Sequence, residues 1–549
     1  MYKYLNTAIA ISLLPTISCC SSVNDNSSKN KSEKPNIILI MSDDMGYSDI
    51  GCYGGEVETP NLDLLAENGV RFTQFYNSGR CCPTRASLMT GCYPHQVGIG
   101  HMTNTPNNHT QHDLNIPEYR GFLNKNNVTI AEALKEADYH TLISGKWHLG
   151  SSTQDEWPLQ RGFDKFYGIV PGASNYFKPE YPRGLTYMND TISVTEEDYY
   201  TTDIFTDYAI QFIAESQKED ENKPFFLYLA YTAPHWPLHA LQEDVDKYKG
   251  KYMDGWTALR KKRYQRMQEL KLIDPEWELS SQDSKDWNSL SDEKKEEMDL
   301  RMAIYAAMID RMDQNIGKLT HFLKEQELLD NTVIFFLSDN GACAEGGELG
   351  GGPAKQLETK KGYLLSYGRA WANSSNTPYR EYKHWVHEGG IKTPFIVHWP
   401  KGISEKENGS LIKEYGFLPD IMATCIELAG AEYPKEYKGN RIVSLSGKSL
   451  LPLLKGGKKT IHTEPLFWEH EGNKAVRMGK YKLVSKWQKN KGYNWELFDL
   501  EKDGTEMHDL SDEMPELVHK MNDMYREWAE KNNVLPWDFV QVLYERKNK

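Results

Sequence analysis

The chain has 549 residues, 39% of them hydrophobic and 26% charged, which is long enough for at least two structural units and apolar enough for a large core. Its 64 Lys and Arg against 78 Asp and Glu give a formal net charge of −14, which argues against a nucleic-acid binder, since that needs a dominant basic face. The 41 Gly and 25 Pro are ordinary usage and exclude a collagenous or low-complexity chain.

Residues 1–18 read as an export signal: Lys3 is a short basic region, Leu5 to Ile17 are largely apolar, and Ser18 precedes Cys19. The apolar run is shorter than the roughly 20 residues that a membrane-spanning helix needs. Two products fit this start, a lipoprotein lipidated at Cys19 and a soluble periplasmic protein. The expected location is therefore the periplasm or outer membrane of a Gram-negative bacterium, with membrane attachment only through Cys19. Residues 19–34, rich in Ser, Asn and Lys, read as a flexible tether. The remaining six of the eight cysteines are scattered and include no Cys-x-x-Cys pair, so neither a disulfide framework nor a zinc ribbon is expected.

From residue 35 onward, nearly continuous apolar runs each end in a polar cluster. Ile37 to Ile40 leads to Ser42-Asp43-Asp44, and Thr141 to Ile143 leads to Gly145-Lys146-Trp147-His148. Phe225 to Leu229 leads to Ala233-Pro234-His235, and Val333 to Leu337 leads to Ser338-Asp339-Asn340-Gly341. Such runs read as strands buried on both faces. Helical patterns lie between them. Thr59-Pro60 is an N-cap followed by proline at the first helical position. Met302, Tyr305, Ala306, Ile309, Met312, Ile316 and Leu319 mark one face of a long helix.

This alternation predicts an α/β fold with a large, mainly parallel or mixed central sheet flanked by helices, with its polar strand ends gathered at one edge. Residues 241–300 read as a charged, solvated helical insertion, with basic residues at 260–263. The catalytic domain is expected to span 35–455. Residues 456–549 carry four short strand patterns, at 466–468, 474–478, 481–484 and 495–499, and a helix over about 514–531. They predict a small C-terminal α+β unit with an antiparallel sheet.

Asp43, Asp44, Asp339 and Asn340 offer only oxygen ligands, a set that suits calcium or magnesium and not zinc. Cys81-Cys82-Pro83-Thr84-Arg85 is the most informative segment. A Cys-x-Pro-x-basic string is expected by composition only about 0.04 times in this chain. The longer string from Cys81 to Thr90-Gly91 resembles the signature of the formylglycine-dependent sulfatases, of the arylsulfatase-like type in the alkaline-phosphatase superfamily. Other blocks resemble that family too: Pro35-Asn36 to Asp44, Gly145 to Gly150, Ala233 to Pro237, Ser338 to Gly341, and Arg380 to Lys383 with Glu388-Gly389-Gly390 and Pro394.

The resemblance implies that Cys81 is oxidised to formylglycine (3-oxoalanine) by a separate maturating enzyme. It also implies that calcium is held by Asp43, Asp44, Asp339, Asn340 and residue 81, with magnesium the second choice. In the implied mechanism the formylglycine hydrate attacks sulfur, assisted by Asp339. Arg85 and Lys146 hold the nucleophile, and His235 and Lys383 protonate the departing alcohol. His148 then takes the proton that expels sulfate. Crowding these lysines beside a metal should depress their pKa values.

Ser366 to Asn373 and His384 to His387 resemble exported bacterial sulfatases, and the aromatic residues there suggest a pocket for a sulfated saccharide. Two alternatives stand beside this reading: a phosphonate or phosphate monoester hydrolase of the same superfamily, and a non-catalytic glycan-binding lipoprotein.

Overall fold

The computed structural model describes residues 34–103, 113–457, 460–489 and 491–547. The expected signal and most of the tether, with Cys19, lie outside the described residues. The central sheet is built from β1 (Asn36–Ser42), β2 (Val70–Tyr76), β3 (His140–Lys146), β4 (Lys165–Ile169), β5 (Leu185–Tyr187), β6 (Asp190–Ile192), β7 (Phe225–Ala230), β8 (Thr332–Ser338), β9 (Lys392–His398), β10 (Ser410–Ile412) and β11 (Gly416–Phe417). Its order is β10-β2-β9-β8-β1-β7-β3-β4-β5-β6, and β11 also pairs with β2.

The middle of the sheet is parallel: β1 runs beside β7 and β8, and β3 beside β7 and β4. Every residue of β1, β3, β7, β8 and β9 is buried, as expected for strands covered on both faces. Ser42 is in register with Ser338, and Met41 with Ala230, so the carboxyl ends of β1, β7 and β8 lie level at one edge. Strand β9 is antiparallel to both β8 and β2. The loop that enters β9 therefore sits at that same edge, and so does the loop that leaves β2.

Helices α1 (Pro60–Glu67), α2 (Cys81–Thr90), α3 (Ile130–Glu136), α4 (Thr201–Glu219), α5 (Gln242–Tyr248), α6 (Gly255–Glu269) and α7 (Asp292–Glu325) flank the sheet. The predicted apolar face of α7 is buried along its length. Ser291 caps α7 by accepting from Lys294 N.

The 241–300 segment corrects one expectation. It forms α5, α6 and the first turns of α7, and α6 is not simply a solvated insertion. Arg260 and Arg263 of the basic cluster are buried. Arg263 Nη1 donates to Asp49 Oδ1 at 2.6 Å, and its Nε donates to Glu56 Oε2 at 2.7 Å. Arg263 therefore anchors the helix to the loop after β1 through two carboxylates, as a buried guanidinium needs, while Arg260 Nη2 donates to Ser280 O at 2.7 Å and Ser280 Oγ at 2.8 Å.

After a short ribbon of β12 (Glu436–Tyr437) and β13 (Asn440–Arg441), the C-terminal part forms an antiparallel sheet of β14 (Leu466–His470), β15 (Asn473–Met478), β16 (Tyr481–Ser485) and β19 (Glu496–Asp499), with β17 (Trp487–Gln488) and β18 (Gly492–Tyr493) as a side ribbon. One face of this sheet (Val476, Leu483, Leu497) packs on Met521, Tyr525 and Trp528 of the helix Pro515–Lys531. The other face (Leu466, Trp468, Ala475, Val484, Phe498) packs on Tyr76, Val386, Ile391 and Phe417. This second face presses the C-terminal sheet against the end of β2 and the loop entering β9.

Candidate active site

The level strand ends bring the polar clusters together. Asp43 and Asp44 leave β1, Asp339 and Asn340 leave β8, Lys146 ends β3, and His235 follows β7. Lys383 lies in the loop before β9. Cys81 opens α2 after β2, and Arg85 lies one turn later on the same helical face. All of these side chains are buried. Asp43, Asp44, Arg85, Lys146, His235, Asp339, Asn340 and Lys383 form one connected cluster.

Arg85 is at its centre. Its Nη2 donates to Asp339 Oδ2 at 2.8 Å and lies 3.8 Å from Asp43 Oδ2. Its Nη1 reaches Tyr228 OH at 3.1 Å and Lys146 O at 3.3 Å. Lys146 Nζ donates to Asp43 Oδ2 at 2.7 Å, and Lys383 Nζ donates to Asp44 Oδ2 at 2.8 Å. The second carboxylate oxygen of Asp44 accepts from Asn340 Nδ2 at 2.7 Å, while Asp44 N donates to Asp339 Oδ1 at 3.1 Å. Asp44 is held at φ 66°, a conformation that asparagine and aspartate tolerate better than most residues.

Two oxygens in this network, Asp43 Oδ1 and Asn340 Oδ1, are buried with no hydrogen-bond partner among the described residues. A buried acceptor without a donor requires an explanation. Here the donor set is three carboxylates and one amide oxygen, the ligand chemistry of a hard divalent cation. Asp43, Asp44 and His235 also place ligand atoms within 4.8 Å of one another. These residues fit such an ion.

The electrostatics follow from burial and crowding. Burial, and then the Asp43 charge, push the Asp339 carboxyl up to about 7 against the pull of Arg85 and Lys146. Burial also raises the Asp44 carboxyl, but His235 and Lys383 outweigh it and hold Asp44 well below the usual carboxylate range. Burial raises the Cys81 thiol, while Lys146 and Lys383 pull it down and Asp339 and Asp43 push it up. Position 81 therefore feels both lysines and both aspartates.

Around Lys383 the protein's own charges act against the depression expected beside a metal. Burial lowers its pKa, but Asp44, Cys343 and Glu345 raise it well above the ordinary value. The sequence argument placed Asp44 in the site but missed Cys343 and Glu345.

His235 has the opposite character. Burial is the main cause of its fall to about 4, so its ring is neutral at pH 7. Its Nδ1 donates to Trp236 O at 2.6 Å, which leaves Nε2 as an acceptor 3.4 Å from Lys383 Nζ. His148, at φ 61°, has Nε2 at 3.2 Å from Thr103 O, and its buried Nδ1 has no hydrogen-bond partner among the described residues. Burial, with Lys146 next, holds its pKa well below the usual histidine value. Nδ1 is thus a free lone pair.

Sequence reasoning missed Glu345. It accepts from Arg80 Nη2 at 2.9 Å and Trp236 Nε1 at 2.8 Å, and lies 3.7 Å from Lys383 Nζ. It joins the residues beside Cys81 and His235 to Lys383, and no short motif announces it. Tyr228, a strand residue in β7, was likewise hidden inside an apolar run. Two aromatic residues of the expected sugar pocket are core residues instead: Tyr367 stacks on Tyr305 with centroids 4.3 Å apart, and Trp371 is buried. Trp236, Tyr363 and Trp385 are the partly exposed rings of this region.

Comparison with known proteins agrees with this geometry. Residues 35–431 match the Sulfatase family, and residues 380–531 match the N-sulphoglucosamine sulphohydrolase C-terminal family. The chain is 34% identical over 544 residues to an uncharacterized sulfatase of Schizosaccharomyces pombe, covering 93% of this chain and 96% of that protein. It is 35% identical to the arylsulfatase of Klebsiella aerogenes, covering 76% and 91%. Among solved structures, it is similar to Ps i-CgsB in complex with k-i-k-neocarrahexaose, with a TM-score of 0.68, 27% identity and coverage of 94% and 98%. The chain belongs to the sulfatase family of the alkaline-phosphatase superfamily and is a sulfuric ester hydrolase.

Proposed function

We propose that this sulfatase removes sulfate from a saccharide, with formylglycine formed from Cys81 by a maturating enzyme and a calcium ion held by Asp43, Asp44, Asp339 and Asn340. The observation that carries the reading is the pair of orphaned buried oxygens, Asp43 Oδ1 and Asn340 Oδ1, in the cluster that acts on position 81. Support for a saccharide comes from the k-i-k-neocarrahexaose in the complex of Ps i-CgsB and from the partly exposed Trp236, Tyr363 and Trp385.

Formylglycine, once hydrated, supplies an oxygen nucleophile that keeps a second hydroxyl through which sulfate can leave. Calcium supplies positive charge beside the reacting sulfate. The rest is done by side chains. Lys146 and Arg85 place fixed cations beside position 81, where charge develops on the sulfate. Lys383 is the charged donor for the departing alcohol oxygen, and neutral His235, with Nε2 facing Lys383 Nζ, orients it and accepts its hydrogen bond. His148 offers its unpaired Nδ1 as the base for the step that releases sulfate.

We further infer an exported protein, processed near residues 18–19, with its catalytic part over 35–455 and a C-terminal subdomain over 456–549. A panel of sulfated saccharides incubated with Cys81→Ala and the parent enzyme tests the central reading. Sulfate release from at least one saccharide by the parent alone is expected. Release only from small aryl sulfates would refute the saccharide assignment, and undiminished release by Cys81→Ala would refute the nucleophile.

A further inference from the structure

A second cluster lies beside the active site and takes no part in the chemistry above. His470 ends β14, Glu471 begins the turn to β15, and His384 directly follows Lys383. One ligand atom from each of these three residues lies within 4.8 Å of the others. His384 Nδ1 is 3.4 Å from Glu471 Oε2, and His470 Nε2 is 3.9 Å from Glu471 Oε1. The His470 side chain is wholly buried, and neither of its ring nitrogens has a hydrogen-bond partner among the described residues. Burying an imidazole with both nitrogens unpaired is costly unless something else binds there.

We propose that His384, His470 and Glu471 form a transition-metal site of the zinc type, which ties the β14–β15 turn to the loop carrying Lys383. Two imidazoles and a carboxylate are the nitrogen and oxygen set that zinc takes, with a fourth position left for water. This set is chemically distinct from the all-oxygen cluster of Asp43, Asp44, Asp339 and Asn340, so the two sites select different ions. Local charge favours a cation: Glu471, Glu469 and Glu345 surround the cluster, against the single guanidinium of Arg80. Glu471 Oε1 also accepts from Met102 N at 3.4 Å, and Met102 Sδ lies 3.7 Å from Cys81 Sγ. A metal here would stiffen the wall between the C-terminal sheet and position 81.

One rearrangement accompanies loading. Asn473 Nδ2 donates to His384 Nε2 at 3.2 Å, so without metal the His384 proton sits on Nδ1. Coordination through Nδ1 moves that proton to Nε2 and turns the Asn473 amide. The amide then gives up its bonds to His470 O (3.0 Å) and Trp487 N (3.2 Å). The bonds of a three-ligand zinc site outweigh two neutral hydrogen bonds.

The test is zinc binding by the full chain at micromolar free zinc in excess calcium, which keeps the oxygen cluster occupied. Bound metal is counted by elemental analysis after dialysis. The variants are His384→Gln and Glu471→Gln, whose side chains are 28% and 20% exposed and so tolerate replacement, with thermal melting as a check on folding. One zinc per chain is expected, with affinity at least about 10-fold weaker in each variant. Zinc should also raise the melting temperature of the parent and not of the variants. The proposal is overturned if the parent binds no zinc, or if both folded variants bind it as the parent does, which would place the zinc elsewhere.

Discussion

Lys383 Nζ lies 2.8 Å from Asp44 Oδ2 and 3.4 Å from His235 Nε2, so one ammonium group joins the cation cluster to the neutral histidine. In the mechanism proposed above, the proton for the leaving group comes from this lysine. Lys383→Ala is expected to lower kcat on saccharide sulfates by about 10²–10⁴-fold. The loss should be much smaller on a nitrophenyl sulfate, whose leaving group departs without a proton. Equal losses on both substrates, measured in parallel, would remove Lys383 from that role.

The calcium proposed to satisfy the two orphaned oxygens makes a testable demand on activity and stability. Chelation should abolish turnover and lower the melting temperature, because Asp43, Asp44 and Asp339 then face one another without their counter-ion. Added calcium should restore both, and magnesium should do so less completely, since it demands stricter octahedral geometry. Asp339→Asn should raise the calcium concentration needed for half-maximal activity. Full activity after exhaustive chelation, with metal content verified, is the contrary outcome.

Arg85 is wholly buried between Asp339 and Tyr228. Its replacement by alanine leaves the buried Asp339 carboxylate without its ion-pair partner, a defect that costs about 3–5 kcal/mol. Denaturant titration of Arg85→Ala should show that loss in chelator and a smaller one in calcium, because calcium neutralises the same carboxylate. A loss independent of calcium would separate Arg85 from the cation cluster.

Acid stability should depend on Glu388. Its Oε1 accepts from Lys482 Nζ at 2.8 Å and its Oε2 from Tyr76 OH at 2.9 Å, with Lys392 Nζ at 3.1 Å. Burial raises its pKa, but Lys482, Lys392 and Arg477 together bring it down to about 2. A carboxyl lowered on folding stabilises the protein above its unfolded pKa, near 4.5, and that contribution fades as pH falls toward 2. The shift corresponds to about 3 kcal/mol. Glu388→Gln should therefore be much less stable than the parent at pH 7, with the gap narrowing below about pH 4.5 and closing only near pH 2. A gap that stays constant with pH would contradict this.

Sulfate should be preferred over phosphate. Turnover of sulfate and phosphate esters of one alcohol should favour the sulfate in kcat/KM by at least about tenfold, the smallest difference that counts as discrimination here. A preference for phosphate would favour the phosphonate or phosphate hydrolase reading.

The site was legible in the sequence because its residues stand at the ends of strands whose apolar runs are unmistakable. Asp43, Asp44, Lys146, His235 and Asp339 each follow four or more buried residues, and a mainly parallel sheet brings such ends to one edge. The boundaries of β14, β15, β16 and β19 were legible for a similar reason, their alternating pattern. Contacts that depend on loops were not. Glu345 meets Arg80 and Trp236 only after three loops converge, and His384 meets His470 from 86 positions away. Arg263 looked like solvent-facing charge because its partners, Asp49 and Glu56, lie some 200 residues away. Part of the electrostatics of Lys383 was hidden for the same reason: beside Asp44, Cys343 and Glu345 act to raise its pKa.

The most direct measurement is the mass of the tryptic peptide Cys81–Arg85 in active enzyme, compared with turnover across preparations made with and without a maturating enzyme. The account predicts a peptide whose residue 81 carries an aldehyde in place of the thiol, with activity proportional to the converted fraction. Full turnover from a preparation in which residue 81 is entirely cysteine would contradict it.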